Sequence, residues 1–184
     1  MQAAVQSDFV RVEDYLAAEE ASEVRHEYLG GAVYAMAGET RAHNTIALNL
    51  AAALRQHLKP PCKVYMGGVR VTFQLRQDDY YYYPDVVITC DPRDKDARVV
   101  RYPKLIIEVL SESTERIDRR EKFLAYTTIE TLEEYVLIGQ ASPEATIFRR
   151  SSDWRAEKVT GGQAELTIDC LRLTLPFIEM YEGI

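Results

Sequence analysis

The most constraining feature of the sequence is an apolar segment, residues 105–110, that reads Leu-Ile-Ile-Glu-Val-Leu. Apolar side chains occupy both of its faces, which is typical of a central strand covered on both sides. The segment contains one acid, Glu108. A charge buried in a strand is costly because the ion loses its hydration, so Glu108 should be paired, exposed or bound to a metal.

A second acid, Asp85, opens another apolar strand, one strand and one loop earlier in the chain. Two neighbouring strands could therefore bring Asp85 and Glu108 to one end of a sheet. Mg²⁺ and Mn²⁺ prefer oxygen ligands, and the backbone carbonyl of Val109 could supply one more. The pattern predicts a divalent-cation site, for Mg²⁺ or Mn²⁺, at these three residues. The alternative for each acid taken alone is a solvated strand end or a salt bridge.

A helix is predicted over residues 114–128, directly after the Glu108 strand, with Ser113 as its N-cap. Three polar residues recur on one face of this helix at intervals of four: Asp118, Lys122 and Tyr126. If the helix packs beside the strand, Lys122 could reach a phosphate or orient an attacking water, and Tyr126 is a candidate for substrate binding. The alternative is an ordinary surface pair between Asp118 and Lys122, which would contribute about 0.3–0.5 kcal/mol.

Further polar residues are candidates for a site. Glu27, in the first predicted hairpin, could supply a third acid, although an exposed hairpin charge is the alternative. His43 begins a long helix whose N-terminal amides favour anions, and it could contact substrate or serve in capping or packing. Arg119 belongs to the densest basic cluster, which could meet phosphates or balance neighbouring acids. The four tyrosines at 80–83 could stack on bases or cover a sheet edge.

Helices and strands alternate along the rest of the chain, so the class is α/β or α+β with a mixed sheet. The predicted elements before the Glu108 strand are a helix over 10–21, a hairpin over 25–36, a helix over 41–58, paired strands at 64–66 and 69–75, a turn at 78–79, and a strand over 80–88 that is interrupted at Pro84. Those after the helix of 114–128 are a strand over 134–138, a hairpin over 145–159, a strand over 171–175 and a helical turn over 177–181. The buried stripe of the long helix is predicted to contain Ile46, Leu48, Leu50, Ala53, Leu54 and Leu58.

Length and composition set the remaining expectations. The 184 residues are expected to form one domain, with its core over about residues 10–175. No apolar run approaches the roughly 20 residues needed to span a bilayer, and no signal peptide is expected. Three widely spaced cysteines lack any CxxC pair, so neither a zinc site nor a disulfide framework is expected, and the location expected is a reducing cytoplasm. They are Cys62, Cys90 and Cys170.

The net charge bears on which partners the protein can bind. The formal net charge of −7 argues against whole-surface attraction to DNA or RNA, although a local basic patch could still exist.

The sequence resembles the Uma2 family, a bacterial group of restriction-endonuclease-like proteins in the PD-(D/E)xK superfamily, over about residues 10–175. The matching pieces are residues 27–34, His43, residues 83–87, residues 107–111, Ser113, Thr114, Asp118, Lys122 and Tyr126. The resemblance implies an αβββαβ restriction-endonuclease-like core, a mixed sheet flanked by helices. It also implies Asp85 and Glu108 as metal ligands and Glu27 as an acid from the N-terminal region.

One position departs from the superfamily pattern. The lysine expected two residues after the acid is Leu110 here, and in this family it is displaced to the following helix as Lys122. The resemblance implies a Mg²⁺- or Mn²⁺-dependent nuclease that acts as a homodimer on nucleic acid, with DNA as the expected substrate. Its catalytic residues would be Glu27, Asp85, Glu108 and Lys122. The second hypothesis is a non-catalytic module for assembly or nucleic-acid binding, which the net charge and the missing in-strand lysine favour.

Overall fold

The computed structural model describes residues 9–111 and 118–184. Its helices are α1 (Val12–Ala21), α2 (Arg41–His57), a π-helical turn (Asp118–Lys122) that continues into α3 (Phe123–Tyr126), and α4 (Phe177–Met180). Its strands are β1 (His26–Leu29), β2 (Ala32–Ala35), β3 (Lys63–Met66), β4 (Arg70–Leu75), β5 (Asp78–Tyr82), β6 (Val86–Thr89), β7 (Val99–Val100), β8 (Pro103–Leu110), β9 (Glu134–Gly139), β10 (Glu144–Arg149), β11 (Ala156–Thr160), β12 (Glu165–Ile168) and β13 (Leu173–Pro176). The predicted cap Ser113 and the start of the predicted helix lie outside the described residues.

The strands form a mixed α+β architecture, as expected. A six-stranded sheet has the order β11-β10-β9-β8-β6-β3, and a five-stranded sheet has the order β2-β1-β5-β4-β7. Strand β8 lies inside the larger sheet, antiparallel to β6 and parallel to β9. The prediction that residues 105–110 form a central strand is therefore confirmed. None of the described helices is long and apolar enough to cross a membrane.

The two faces of β8 enter different cores because side chains alternate along a strand. Leu105, Ile107 and Val109 pack in a cluster with the apolar stripe of α2. Ile106 and Leu110 pack in a second cluster, which is rich in tyrosine and includes residues of both large sheets. Glu108 falls between Ile106 and Leu110 in this alternation. It therefore points to the tyrosine-rich side, where α3 also packs.

Helix α2 covers the other face of the six-stranded sheet. Thr40 caps it by accepting a hydrogen bond from the backbone N–H of His43 (3.1 Å). The helix ends shortly before Pro60, as predicted, because proline cannot continue it. Its buried stripe contains Leu50, which is fully buried, but Leu48 is 53% exposed, so the prediction that Leu48 lies in the core is wrong.

Leu50 and Leu48 offer a matched pair of substitutions on one helix. Leu50→Ala is expected to lower the free energy of unfolding by about 2–5 kcal/mol, because it removes buried methyl groups and leaves a cavity. Leu48→Ala is expected to change it by about 0.5 kcal/mol or less. Urea denaturation followed by circular dichroism measures both, and equal losses would contradict this description of the core.

The predicted pairing of residues 64–66 with 69–75 is wrong. Strand β3 pairs with β6 in the larger sheet, whereas β4 pairs with β5 and β7 in the smaller one. Gly67, with φ of 64°, carries the chain from one sheet to the other. The chain crosses back at Pro84, between β5 and β6. The two crossings are adjacent, because the N–H of Gly67 donates to the carbonyl of Asp85 (3.1 Å).

Other local predictions also need correction. The turn after β4 lies at Arg76 and Gln77, which have φ of 53° and 76°, and Asp78 and Asp79 instead begin β5. The segment between β6 and β8, where no strand was predicted, contains the short strand β7. Residues Glu165–Ile168 form β12, which pairs with β13 and was not predicted.

The expectation of no disulfide is also wrong. Cys62 and Cys90 are bonded to each other, next to the paired residues Lys63 and Thr89 of β3 and β6. The cysteines are 28 residues apart in sequence, and it is the antiparallel register that places them side by side.

Candidate active site

Acids from separate strands meet where the chain crosses between the sheets. Asp85 stands directly before β6, and the antiparallel register that pairs Val86 with Ile107 places it opposite Glu108 of β8. The N–H of Asp85 donates to Glu108 Oε2 (3.2 Å), and the N–H of Val109 donates to Asp85 Oδ2 (2.6 Å). The two carboxylates therefore share one end of the sheet, as the sequence predicted.

The backbone of Val109 faces the same end of the sheet as the carboxylates of Asp85 and Glu108. In a strand the N–H and the C=O of one residue point to the same side, and the N–H of Val109 is bonded to Asp85. The carbonyl of Val109 is therefore directed towards the Asp85 side of β8, and its role as a metal ligand stays a prediction.

Lys122 lies at the centre of the site. Its Nζ lies 3.1 Å from Glu108 Oε1, 3.2 Å from Glu27 Oε1 and 3.4 Å from Asp118 Oδ1. Its side chain is buried, as are those of the three acids. The alternative of an exposed surface pair with Asp118 is thus excluded. The π-helical turn carries both Asp118 and Lys122, which puts the amine between strands β1 and β8.

Glu27 and Tyr126 complete this inner cluster. Glu27, on β1, accepts from the N–H of Tyr83 (3.3 Å), so it also fixes the chain crossing. The hydroxyl of Tyr126 donates to Glu108 Oε1 (3.2 Å). Tyr126 is fully buried, so in this structure its hydroxyl serves Glu108.

Burial sets the protonation of these groups. Desolvation raises the pKa of Glu108 well above its usual value, although the charge of Lys122 works against this shift. Burial alone would lower the pKa of Lys122, but Glu108, Glu27 and Asp118 outweigh it and raise that pKa well above normal. Lys122 is therefore an ammonium ion at neutral pH, suited to stabilising negative charge and unsuited to accepting a proton.

The donor set fits a hard cation. Three carboxylates, those of Glu27, Glu108 and Asp118, surround the ammonium of Lys122, and Asp85 lies opposite Glu108. Within the described part of the chain, Asp118 Oδ1 makes no hydrogen bond although it is buried. Like charges packed this closely disfavour one another, and a divalent ion would offset them. Sequence reasoning treated Asp118 only as a pair partner; its spacing of four from Lys122 was the available signal.

His43 also reaches the site. Its Nε2 lies 3.1 Å from Asp85 Oδ2, and its Nδ1 lies 3.6 Å from Glu39 Oε2. Burial favours the neutral ring, but the hydrogen bonds to Asp85 and Glu39 outweigh it and raise the pKa of His43 to about 10. Glu39 was missed by sequence reasoning, although its spacing of four from His43 was visible.

Two other predicted features have different contacts from those expected. The described contacts of Arg119 include Thr146 (3.5 Å) and Glu144 (3.7 Å), both on β10. Tyr81, Tyr82 and Tyr83 are buried, so they are not available in this structure to stack on bases. Tyr82 instead packs edge-on against Tyr126, with ring centroids 5.3 Å apart. It therefore lies beside the acidic cluster.

Comparison with known structures identifies the fold. The structure is similar to a crystal structure from Anabaena variabilis titled as a "putative nuclease belonging to DUF820", with a TM-score of 0.76. Sequence identity is 16%, and the match covers 94% of this chain and 97% of that one. The fold is restriction-endonuclease-like, as the resemblance implied.

Sequence comparison then identifies the family. The chain matches the Uma2 model, described as "Putative restriction endonuclease", over residues 12–177, and it belongs to the Uma2 family. It is 37% identical over 143 residues to the uncharacterized protein slr1290 of Synechocystis sp., covering 77% of this chain and 74% of the relative. It is 30% identical over 166 residues to sll1609 of the same organism, covering 87% and 93%.

Proposed function

We propose that the protein is a divalent-metal-dependent nuclease that hydrolyses phosphodiester bonds in DNA and acts as a homodimer. The observation that carries the proposal is the position of Lys122 Nζ, within 3.2 Å of both Glu27 and Glu108, with Asp85 opposite Glu108. Membership of a family described as "Putative restriction endonuclease" supports the same reaction class.

Asp85, Glu108 and the carbonyl of Val109 would hold Mg²⁺ or Mn²⁺. These are hard oxygen donors of the kind that both cations prefer. When bound, such an ion activates water as a nucleophile and neutralises charge on the phosphoryl group.

The side chains of the protein supply positioning and charge. The ammonium of Lys122 would stabilise negative charge that develops on the phosphate, and Glu27, Glu108 and Asp118 hold it in place before substrate binds. Tyr126 orients Glu108 through its hydroxyl. A cleft of about 710 Å³ reaches Asp85 from solvent and offers a path for the substrate. We also propose that His43 and Arg119 contact phosphates of the substrate.

The test is cleavage of plasmid DNA, linear DNA and single-stranded RNA in Mg²⁺, in Mn²⁺ and in EDTA. We expect DNA to be cut only when the cation is present. Cleavage of RNA alone would contradict the DNA substrate. No cleavage of any substrate would contradict the enzyme and favour a module that binds nucleic acid without cutting it. Analytical ultracentrifugation at assay concentration tests the homodimer, and a monomer would contradict that part of the proposal.

Tyr126→Phe is expected to lower kcat for cleavage about tenfold and to leave KM unchanged. The change removes one hydrogen bond to a charged group, worth about 1.5 kcal/mol, without changing the shape of the core. Steady-state cleavage of a labelled duplex measures both constants. Tyr181→Phe is the control, because the Tyr181 hydroxyl bonds to the Gly139 carbonyl (2.6 Å) away from the acids. An unchanged kcat for Tyr126→Phe would contradict its positioning role.

A further inference from the structure

The cleft of about 710 Å³ that reaches Asp85 carries a positive charge on its wall. Three acids line this cleft, and they are Glu23, Glu39 and Asp85. Among the described residues that line it, Arg25 is the only one with a positively charged side chain. Arg25 lies directly before β1, two residues from Glu27. The fold therefore brings one guanidinium into the same space as the aspartate of the proposed metal site.

The guanidinium of Arg25 is held in place at the chain crossing. Its Nη1 donates a hydrogen bond to the carbonyl of Gly67, and its central carbon lies 5.9 Å from the centre of the Tyr83 ring. The N–H of Gly67 in turn donates to the carbonyl of Asp85 (3.1 Å). Two hydrogen bonds thus connect Arg25 to the backbone of Asp85. A side chain that is already ordered loses less conformational entropy when it binds a ligand.

The positive charge of Arg25 is available to a ligand. Over residues 9–111 and 118–184, Arg25 forms no ion pair, and the carbonyl of Gly67 is the one hydrogen-bond acceptor found for its side chain. A guanidinium has five N–H donors, so several are left for a ligand. Arg25 is also exposed to solvent. A phosphate suits such a group, because arginine binds phosphate oxygens through two parallel N–H···O bonds.

We infer that Arg25 binds a phosphate of the substrate strand that is a neighbour of the phosphate being cut. The inference rests on the proposed function, which puts the cut phosphate at the cation held by Asp85. Phosphates of one strand follow one another at about 3.4 Å along the helix axis, so a strand bound at Asp85 also brings neighbouring phosphates to the wall of the cleft. Arg25 is then a substrate-binding residue, whose contact is the same in the ground state and in the transition state.

The first test compares duplex binding by Arg25→Gln and Arg55→Gln. Arg55 is also exposed, but it lies near the opposite end of α2 from His43, about 18 Å away at 1.5 Å per residue. Fluorescence anisotropy of a labelled DNA duplex in EDTA, where no cleavage is expected, measures Kd at several salt concentrations. Arg25→Gln is expected to weaken binding about tenfold, because it removes a hydrogen-bonded contact between charged groups.

The salt dependence identifies the contact as one to a phosphate. Arg25→Gln should lower the slope of log K against log salt concentration by about 0.9, since each phosphate contact releases about that many counterions. Arg25→Lys keeps the charge and should keep the slope of the wild type. Arg55→Gln should change neither the affinity nor the slope. An unchanged slope in Arg25→Gln, an equal loss in Arg55→Gln, or no binding of the duplex by the wild type would overturn the inference.

Cleavage in Mn²⁺ separates substrate binding from a structural role. Arg25→Gln should raise KM about tenfold and leave kcat unchanged, because the lost contact is made equally before and in the transition state. A lower kcat with an unchanged KM would overturn the inference. Failure of the proposed function gives a different pattern: the wild type would bind the duplex with a salt slope that depends on Arg25, but it would cut no DNA.

Discussion

Lys122→Met is expected to lower the free energy of unfolding by about 3–5 kcal/mol. The substitution keeps most of the side-chain volume but removes an ammonium that lies within 3.4 Å of Glu27, Glu108 and Asp118. Removing one partner of a buried ion pair leaves the other charges without compensation, and that produces losses of this size. Guanidinium denaturation of the metal-free protein measures the change.

Lys158→Met is the control for this prediction. Lys158 Nζ also pairs with a carboxylate, Glu144 Oε2 at 2.9 Å, but its side chain is 58% exposed. Exposed pairs contribute about 0–1 kcal/mol, so the control should be nearly neutral. Equal losses for the two variants would mean that the burial of Lys122 among the acids is not what stabilises this part of the fold.

Asp85→Asn and Glu108→Gln are each expected to reduce DNA cleavage by at least about 100-fold. Each variant removes one negative charge of the proposed cation site but keeps the size of the side chain and one oxygen. Loss of a single element of such an electrostatic site has effects of this order. Asn at 85 can still accept the hydrogen bond from the N–H of Val109. Asp85→Asn should therefore fold, and cleavage of a labelled duplex in Mn²⁺ measures the loss in both variants.

Asp78→Asn provides the matched control, since Asp78 is an exposed acid at the start of β5. It should cut at the wild-type rate. Full activity in either Asp85→Asn or Glu108→Gln would show that the substituted residue is not part of the active site.

The central strand and the meeting of the acids could be predicted because both follow from local pattern. An apolar run covered on both faces indicates a central strand, and β8 is one. An acid at the start of one strand and an acid within the next lie opposite each other when the strands are antiparallel, as β6 and β8 are. The four-residue spacing of Lys122 and Tyr126 placed both on one helical face, and both contact Glu108.

Other features could not be predicted because they depend on which strands become neighbours. Nothing within residues 64–75 shows that the chain changes sheets at Gly67. The Cys62–Cys90 bond likewise depends on the pairing of β3 with β6. The turn at Arg76 and Gln77 lacks glycine, so the sequence carried no marker of its positive φ.

The roles of Asp118 and Glu39 could not be predicted from the sequence for a related reason. An acid within a charged segment is usually solvated, and only tertiary packing reveals which one is buried or aimed at a histidine. Asp118 is 2% exposed and contacts Lys122, whereas Glu39 faces His43 from the edge of the cleft.

Thermal unfolding with and without Mn²⁺ tests most directly whether Asp85 and Glu108 hold a hard cation. At a Mn²⁺ concentration of about 100 times Kd, binding to the folded state adds about 2.7 kcal/mol, which raises Tm of a chain of this size by about 5–10 °C. We predict such a rise for the wild type and none for Asp85→Asn. The same rise in Asp85→Asn, or no rise in the wild type, would contradict the metal site.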